Sequence, residues 1–256
     1  PIAVIPSLAI HLDRDANKGR TVNPQTDMLP LISLSSGDGD FDIHTMLTAQ
    51  IAAEYPDLDI KKILDWELSL YDTQAPGFVG LNNDFIASAR LDNLLSCFGG
   101  LQAIINSADS DEWNLFVAND HEEVGSASAV GAQGPMLNDV LRAIAPDPVD
   151  DRALRQTSWM LSVDNAHAIH PNYPTKHDEL HAPLLGSGPV IKINRNQRYA
   201  TSGEGAARVR LLAERAGVSV QSFVVRADMG CGSTIGPITA TETGIPTTDI
   251  GVPTLG

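Results

Sequence analysis

Basic residues are scarce in this chain: 17 Lys and Arg stand against 32 Asp and Glu in 256 residues, a formal charge of −15. A nucleic-acid surface takes its affinity from phosphate neutralisation by basic side chains, so that class of partner is excluded. Most of the excess acid is solvated surface, and the balance also suits a protein that holds cations with some of its carboxylates. Cysteine is scarcer still. Cys97 and Cys231 lie far apart without CxxC spacing, which excludes a disulfide framework and a cysteine zinc finger and predicts a reducing, cytoplasmic setting. Long apolar runs are missing too, so no membrane span is expected, and the opening "PIAVIPSLAI" lacks the basic region of a signal peptide. Aromatics are few, while the apolar fraction is that of an ordinary soluble globular protein. The length suffices for one large domain and a smaller one. With no initiator Met and an apolar finish in "GVPTLG", both ends read as cuts through a longer protein.

What is present reads as α/β. Residues 1–78 form a smaller domain, with a strand from Ile2 to Leu12, a polar stretch, and a helix from Asp42 to Glu54 in which Ile43, Leu47 and Ile51 share a face. The turn-rich "TQAPGFVG" crosses into the larger domain, 79–256. There, Leu91, Leu94, Leu95, Phe98, Leu101, Ile104 and Ile105 make a helical stripe within 87–107. "NLFVAND", "SWMLSVD", "PVIKIN", "VSVQSFVVRAD" and "TTDIGVP" read as strands. "MLNDVLRAIA", ended by Pro146, and "GEGAARVRLLAERAG", closed by Gly217, read as helices. The alternation predicts a sheet of mostly parallel strands covered by helices on both faces.

The acids fall at the ends of these strands. The strand 114–118 runs into Asp120, His121, Glu122 and Glu123; 158–163 runs into Asp164, Asn165 and His167; 218–227 ends at Asp228. Ligands of open α/β sheets bind beyond the carboxyl ends of the strands, where several carboxylates at one edge call for a cation. The plainer alternative is that such acids cap helices or form turns. Asp92 has the same two readings: a first-turn acid favoured by the helix dipole, or a carboxylate bridging two metals with Arg90 and Asn93 nearby.

Several motifs are excluded. "HEEVG" has Gly125 where the second histidine of HExxH belongs. "GCGSTIG" has neither GxGxxG spacing nor a Gly-Lys-Ser/Thr ending, so a tight turn with Cys231 packed inside is expected. Four of seven histidines (His167, His170, His177 and His181) fall in one loop interrupted by Pro171 and Pro174, which rules out i,i+4 chelation on a helix. Lys192 sits among apolar neighbours in "PVIKIN", either as an exposed residue of a half-buried strand or as a positive charge in a pocket.

Taken together, "RLDNL", "DHEEVGS", "SVDNAHAIHPNY", "GPVIKINRNQRYAT" and "DMGCGSTIGP" resemble the aspartyl aminopeptidase family of co-catalytic dizinc metallopeptidases, and "IPSLAIHLDR" resembles its dimerisation domain. The resemblance covers nearly the whole chain in order. It implies a catalytic α/β domain with an inserted dimerisation domain, assembled from dimers into a tetrahedral dodecamer. By position, Asp92 resembles the carboxylate bridging two zinc ions, Glu123 and Asp164 the ligands of one metal each, and Glu122 the general base. His167, Lys192 and Tyr199 resemble substrate-binding positions, and His11 a histidine donated to a neighbouring subunit's site.

The implied chemistry is release of an N-terminal Asp or Glu from a peptide, using a metal-activated water and a glutamate that carries its proton to the leaving amine. Adjacent glutamates after a strand suit that division, one aimed at metal and one at water. Cobalt or manganese are the alternative metals for a carboxylate-rich site. The family's two histidine ligands are missing here, one belonging before Pro1 and the other just beyond Gly256; three carboxylates alone make a poor dizinc site. Two other readings stand beside this one: a dizinc aminopeptidase of broader or neutral specificity, and a non-catalytic oligomeric scaffold of the same fold.

Overall fold

A computed structural model describes residues 1–34, 41–107 and 111–256, in two compact units, Pro1–Asp84 and Phe85–Gly256. The first is held by local interactions. Val4 and Leu31 exchange both backbone hydrogen bonds in an isolated antiparallel bridge, at 3.0 and 2.8 Å. Asn23 caps the single turn α1 (Pro24–Asp27) through Gln25 N–H, and Asp42 caps α2 (Ile43–Glu54) by accepting from the N–H groups of His44 and Thr45. A short strand, β1 (Gly77–Val79), follows. The strand expected over Ile2–Leu12 is not formed: beyond the Val4 bridge the segment turns at residues 10–12, where Leu12 and Asp13 N–H bond back to Ala9. Apolar alternation alone gives no ladder without a neighbour to pair with.

The second unit begins with β2 (Phe85–Ala87) and α3 (Leu91–Asn106), then α4 (Met136–Ile144) and α5 (Pro148–Thr157). Next come β3 (Met160–Val163), β4 (Ala166–His167), β5 (Val190–Ile193), α6 (Gly203–Ala216) and β6 (Gln221–Val224), and the chain closes with α7 (Ile235–Thr243), β7 (Thr247–Gly251) and β8 (Pro253–Thr254). The α6 helix is capped by Ser202 and ends at Gly217, which is in the left-handed conformation. The main sheet has the order β3-β7-β5-β6. Two of its pairings, β3/β7 and β5/β6, are parallel, as expected; β5/β7 is antiparallel, so the sheet is mixed.

Val190 and Ile191 are fully buried, and the core gathers Ala166, Val190, Tyr199 and Phe223, with Val225 and Cys231 packed against it. Helices α6 and α7 pack on this sheet. The strand expected over 114–118 is not formed: the segment takes part in no ladder among the described residues. Helix α3 also departs from the simple stripe. Asp92 and Asn93 have non-helical backbone angles, so regular helix begins only after them.

Candidate metal and substrate site

The site builds on the carboxyl end of β3. Asp164 directly follows the strand, its N–H bonded to Ile250 O at 3.1 Å across the β3/β7 pairing. The neighbouring strand must be glycine at Gly251, where a Cβ would stand 2.0 Å from the Asp164 carbonyl oxygen. Asn93 ties the start of α3 to the same place, its Nδ2 donating to Val163 O at 2.6 Å. Asp92 is thereby brought to Asp164. Glu122 and Glu123 lie on a 3-10 turn, Glu122–Val124, closed by Gly125 N–H on Glu122 O.

These carboxylates feel one another. Asp92 is pushed up to about 6, first by burial, then by its hydrogen bond and repulsion with Asp164, with Glu123 adding to the rise and the Asn165 N–H opposing it. Glu122 is also raised, first by burial and then by Asp164, Glu123 and Asp92, while Lys192 pulls the other way. The structure therefore brings Asp92, Glu122, Glu123 and Asp164 into one electrostatic group.

Lys192 is the positive member. It is 2% exposed, against the surface position that its strand would ordinarily give a lysine. Its Nζ donates to Asp164 Oδ2 at 3.1 Å and lies 5.4 Å from the Tyr199 ring centroid. Tyr199 is 5% exposed and its hydroxyl is raised by burial, by a hydrogen bond with Cys231, and by the Asp164 and Asp249 charges. His167, on β4, sets its ring edge-to-face on Phe223 with centroids 5.9 Å apart. His11 belongs to the first unit, in the turn at residues 10–12.

Asp228 does not join the group. It forms a two-pronged ion pair with Arg226, at 2.9 and 2.6 Å, because β6 ends at Val224 and the chain turns before reaching it. With Arg226, His177, Asp178, Thr175 and Ile169, Asp228 lines a cavity of about 620 Å³. His177 is held below its ordinary value by burial and by His167 and His170.

As a donor set, Asp92, Glu123 and Asp164 fit a divalent cation in charge, since a cation would offset the repulsion that raises Asp92. They are short of ligands, since among the described residues no three His, Cys, Asp or Glu side chains converge closely enough to hold a metal. The residue that sequence reasoning missed is Asp249, 1% exposed and bonded to Ser162, Thr234 and Ala200. An Asp in the middle of the strand "TTDIG", where acids are depleted, was its signal.

The chain's relatives bear on this geometry. The aminopeptidase I zinc metalloprotease (M18) family profile matches residues 1–256. A probable M18 family aminopeptidase 2 of Pseudomonas entomophila (strain L48) is 58% identical over 254 residues, covering 99% of this chain and 59% of the relative. The chain thus spans about three fifths of that relative's length. The cryo-EM structure of the Ape4 and Nbr1 complex matches with a TM-score of 0.87 and 38% identity, over 99% of this chain and 52% of that one. The S. cerevisiae mApe1 dodecamer matches with a TM-score of 0.76 and 28% identity, over 98% of this chain and 56% of that one.

Proposed function

Because the chain belongs to the aminopeptidase I zinc metalloprotease family, we propose that the whole protein is a metal-dependent aminopeptidase that releases N-terminal Asp or Glu from peptides. The observation that carries the acidic specificity is Lys192: a buried ammonium on a central strand, beside the carboxylate group and under the Tyr199 ring. Burying a lysine is costly unless a negative partner meets it. Asp164 is that partner in this structure, and an acidic substrate side chain is the natural second one.

By the resemblance, Asp92, Glu123 and Asp164 would be carboxylate ligands of two zinc ions, which need further ligands besides these three. A divalent metal there supplies Lewis-acid activation of water and of the scissile carbonyl. Glu122 accepts the proton of the attacking water and delivers it to the leaving amine nitrogen. Its raised carboxyl, set by burial and three neighbouring acids, moves it toward the range in which a base both takes and returns a proton. Tyr199 and His167 line the place of the substrate's first residue beside Lys192. His11 serves a neighbouring subunit's site in an assembly built from dimers, a dodecamer in the resemblance, and the setting is cytoplasmic.

The test follows release of the first residue from Asp-, Glu- and Leu-peptides by the full-length protein, before and after chelation and with zinc restored. Activity preferring Asp or Glu, lost with the metal and regained with it, is expected. In Lys192→Met, the preference for Asp over Leu should fall by about 30-fold or more, the scale of truncating a buried charge partner. Metal-dependent cleavage that prefers Leu would remove the role given to Lys192. Absence of cleavage by folded, metal-loaded protein would leave a scaffold.

A further inference from the structure

Among the described residues, Asp249 is the most enclosed carboxylate, and its partners are two hydroxyls and a backbone N–H, with no cation among them. Its Oδ1 accepts from Ser162 Oγ at 2.7 Å and Thr234 Oγ1 at 2.6 Å, and its Oδ2 from Ala200 N–H at 2.6 Å. The backbone doubles the tie: Asp249 N–H donates to Thr201 Oγ1 at 2.9 Å, and the same hydroxyl donates to Asp249 O at 3.3 Å. Gly236 leaves the space the carboxylate fills, since a Cβ there would stand 2.3 Å from Oδ1.

Three separate segments therefore end on one side chain, and each reaches the proposed pocket within a few residues. Ser162 stands two residues before Asp164, Ala200 follows Tyr199, and Thr234 stands three residues after Cys231, the Tyr199 partner. A buried carboxylate is an expensive way to hold a sheet together, where apolar packing would serve. A directional acceptor does what apolar packing cannot: it fixes the distance and angle of each donor.

We infer that Asp249 is a positioning residue for the substrate pocket: by anchoring Ser162, Ala200 and Thr234 at one carboxylate, it fixes Tyr199 against Lys192 and Asp164. The inference rests on the substrate role proposed for Tyr199 and Lys192, and the test separates the two. Full-length, metal-loaded protein is labelled with 3-fluorotyrosine, and Tyr199→Phe assigns the Tyr199 fluorine resonance. Asp249→Asn preserves shape, since its amide oxygen can face Ala200 N–H while the Ser162 and Thr234 hydroxyls turn to accept from its NH₂.

Asp249→Asn should move the Tyr199 resonance and raise KM for an Asp-peptide by about tenfold, with kcat changed by less than about twofold. Ser162→Ala, which removes one donor from the same carboxylate, should move both in the same direction by less, and it decides the matter if Asp249→Asn does not fold. A resonance that stays in place while the melting temperature falls would overturn the inference, leaving Asp249 only a structural tie. A resonance that moves while KM does not would uphold the positioning and remove the substrate role of Tyr199.

Discussion

The two compact units put their apolar residues to opposite use. In Phe85–Gly256, β5 is sealed on both faces, with Val190 and Ile191 fully buried and Lys192 buried beside them. In Pro1–Asp84 no described residue is buried, and Leu12, Leu34 and Leu64 are 76%, 96% and 83% exposed. What orders the first unit is local: helix caps at Asn23 and Asp42, the Lys18–Asp15 and Arg20–Asp13 ion pairs, and the Val4–Leu31 bridge. Exposed ion pairs contribute about 0–1 kcal/mol each, whereas a fully buried aliphatic side chain contributes about 1.5–3 kcal/mol. Apolar content therefore does not make a core. A core needs elements that close over both faces of a strand, and among the described residues only those of the second unit do so.

The largest effect expected from breaking this contrast is chemical. Glu122→Gln in the full-length, metal-loaded protein should lower kcat by about 10²–10⁴-fold, with metal content and melting temperature retained. His11→Ala, in the first unit, should cost less and act on KM. Equal losses from the two would mean that the chemistry is not concentrated in the second unit.

Stability gives the next test. Ile191→Ala should lower unfolding free energy by about 2–5 kcal/mol in urea, the scale of a cavity in a closed core. Leu34→Ala should stay within about 0.5 kcal/mol in the unassembled protein. A comparable cost at Leu34 would reveal burial of the first unit's leucines and erase the contrast.

The smallest effect is a pH dependence confined to α2. The Thr45 hydroxyl and the His44 and Thr45 N–H groups hold the Asp42 carboxyl below its ordinary value of 3.8. A depressed carboxyl stabilises the fold fully above that value and loses its contribution as pH falls through the folded one. Amide exchange at His44 and Thr45, corrected for intrinsic rates, should quicken below pH 3.8 in the native protein and show no such step in Asp42→Ala. A step that persists in the variant would assign it to another group.

Much of the second unit was legible because its signals are local. Gly217 marked the end of α6, Pro146 followed the end of α4, and the apolar-rich runs at 160–163 and 190–193 marked strands. The misses were pairing failures. Residues 2–12 and 114–118 have strand-like composition, but a strand exists only where another backbone accepts its hydrogen bonds, and no local pattern supplies one. The antiparallel β5/β7 step was invisible for the same reason.

At the site, adjacency made Glu122 and Glu123 conspicuous, and the run "SVDNAH" did so for Asp164 and His167. Nothing in the spacing indicated that Lys192 would be buried on Asp164, that Asp228 would turn away to Arg226, or that Asp249 would gather three segments.

By itself the sequence determined the α/β class, the order of most elements in the second unit and the residue types available at the strand ends, because periodicity, caps and breakers act over a few residues. The tertiary structure alone decided which strands found partners, which carboxylates share a field and which charges are buried. Those depend on contacts between segments far apart in the chain, such as those that Asp92 and Gly251 each make with Asp164, and only the folded chain brings them together.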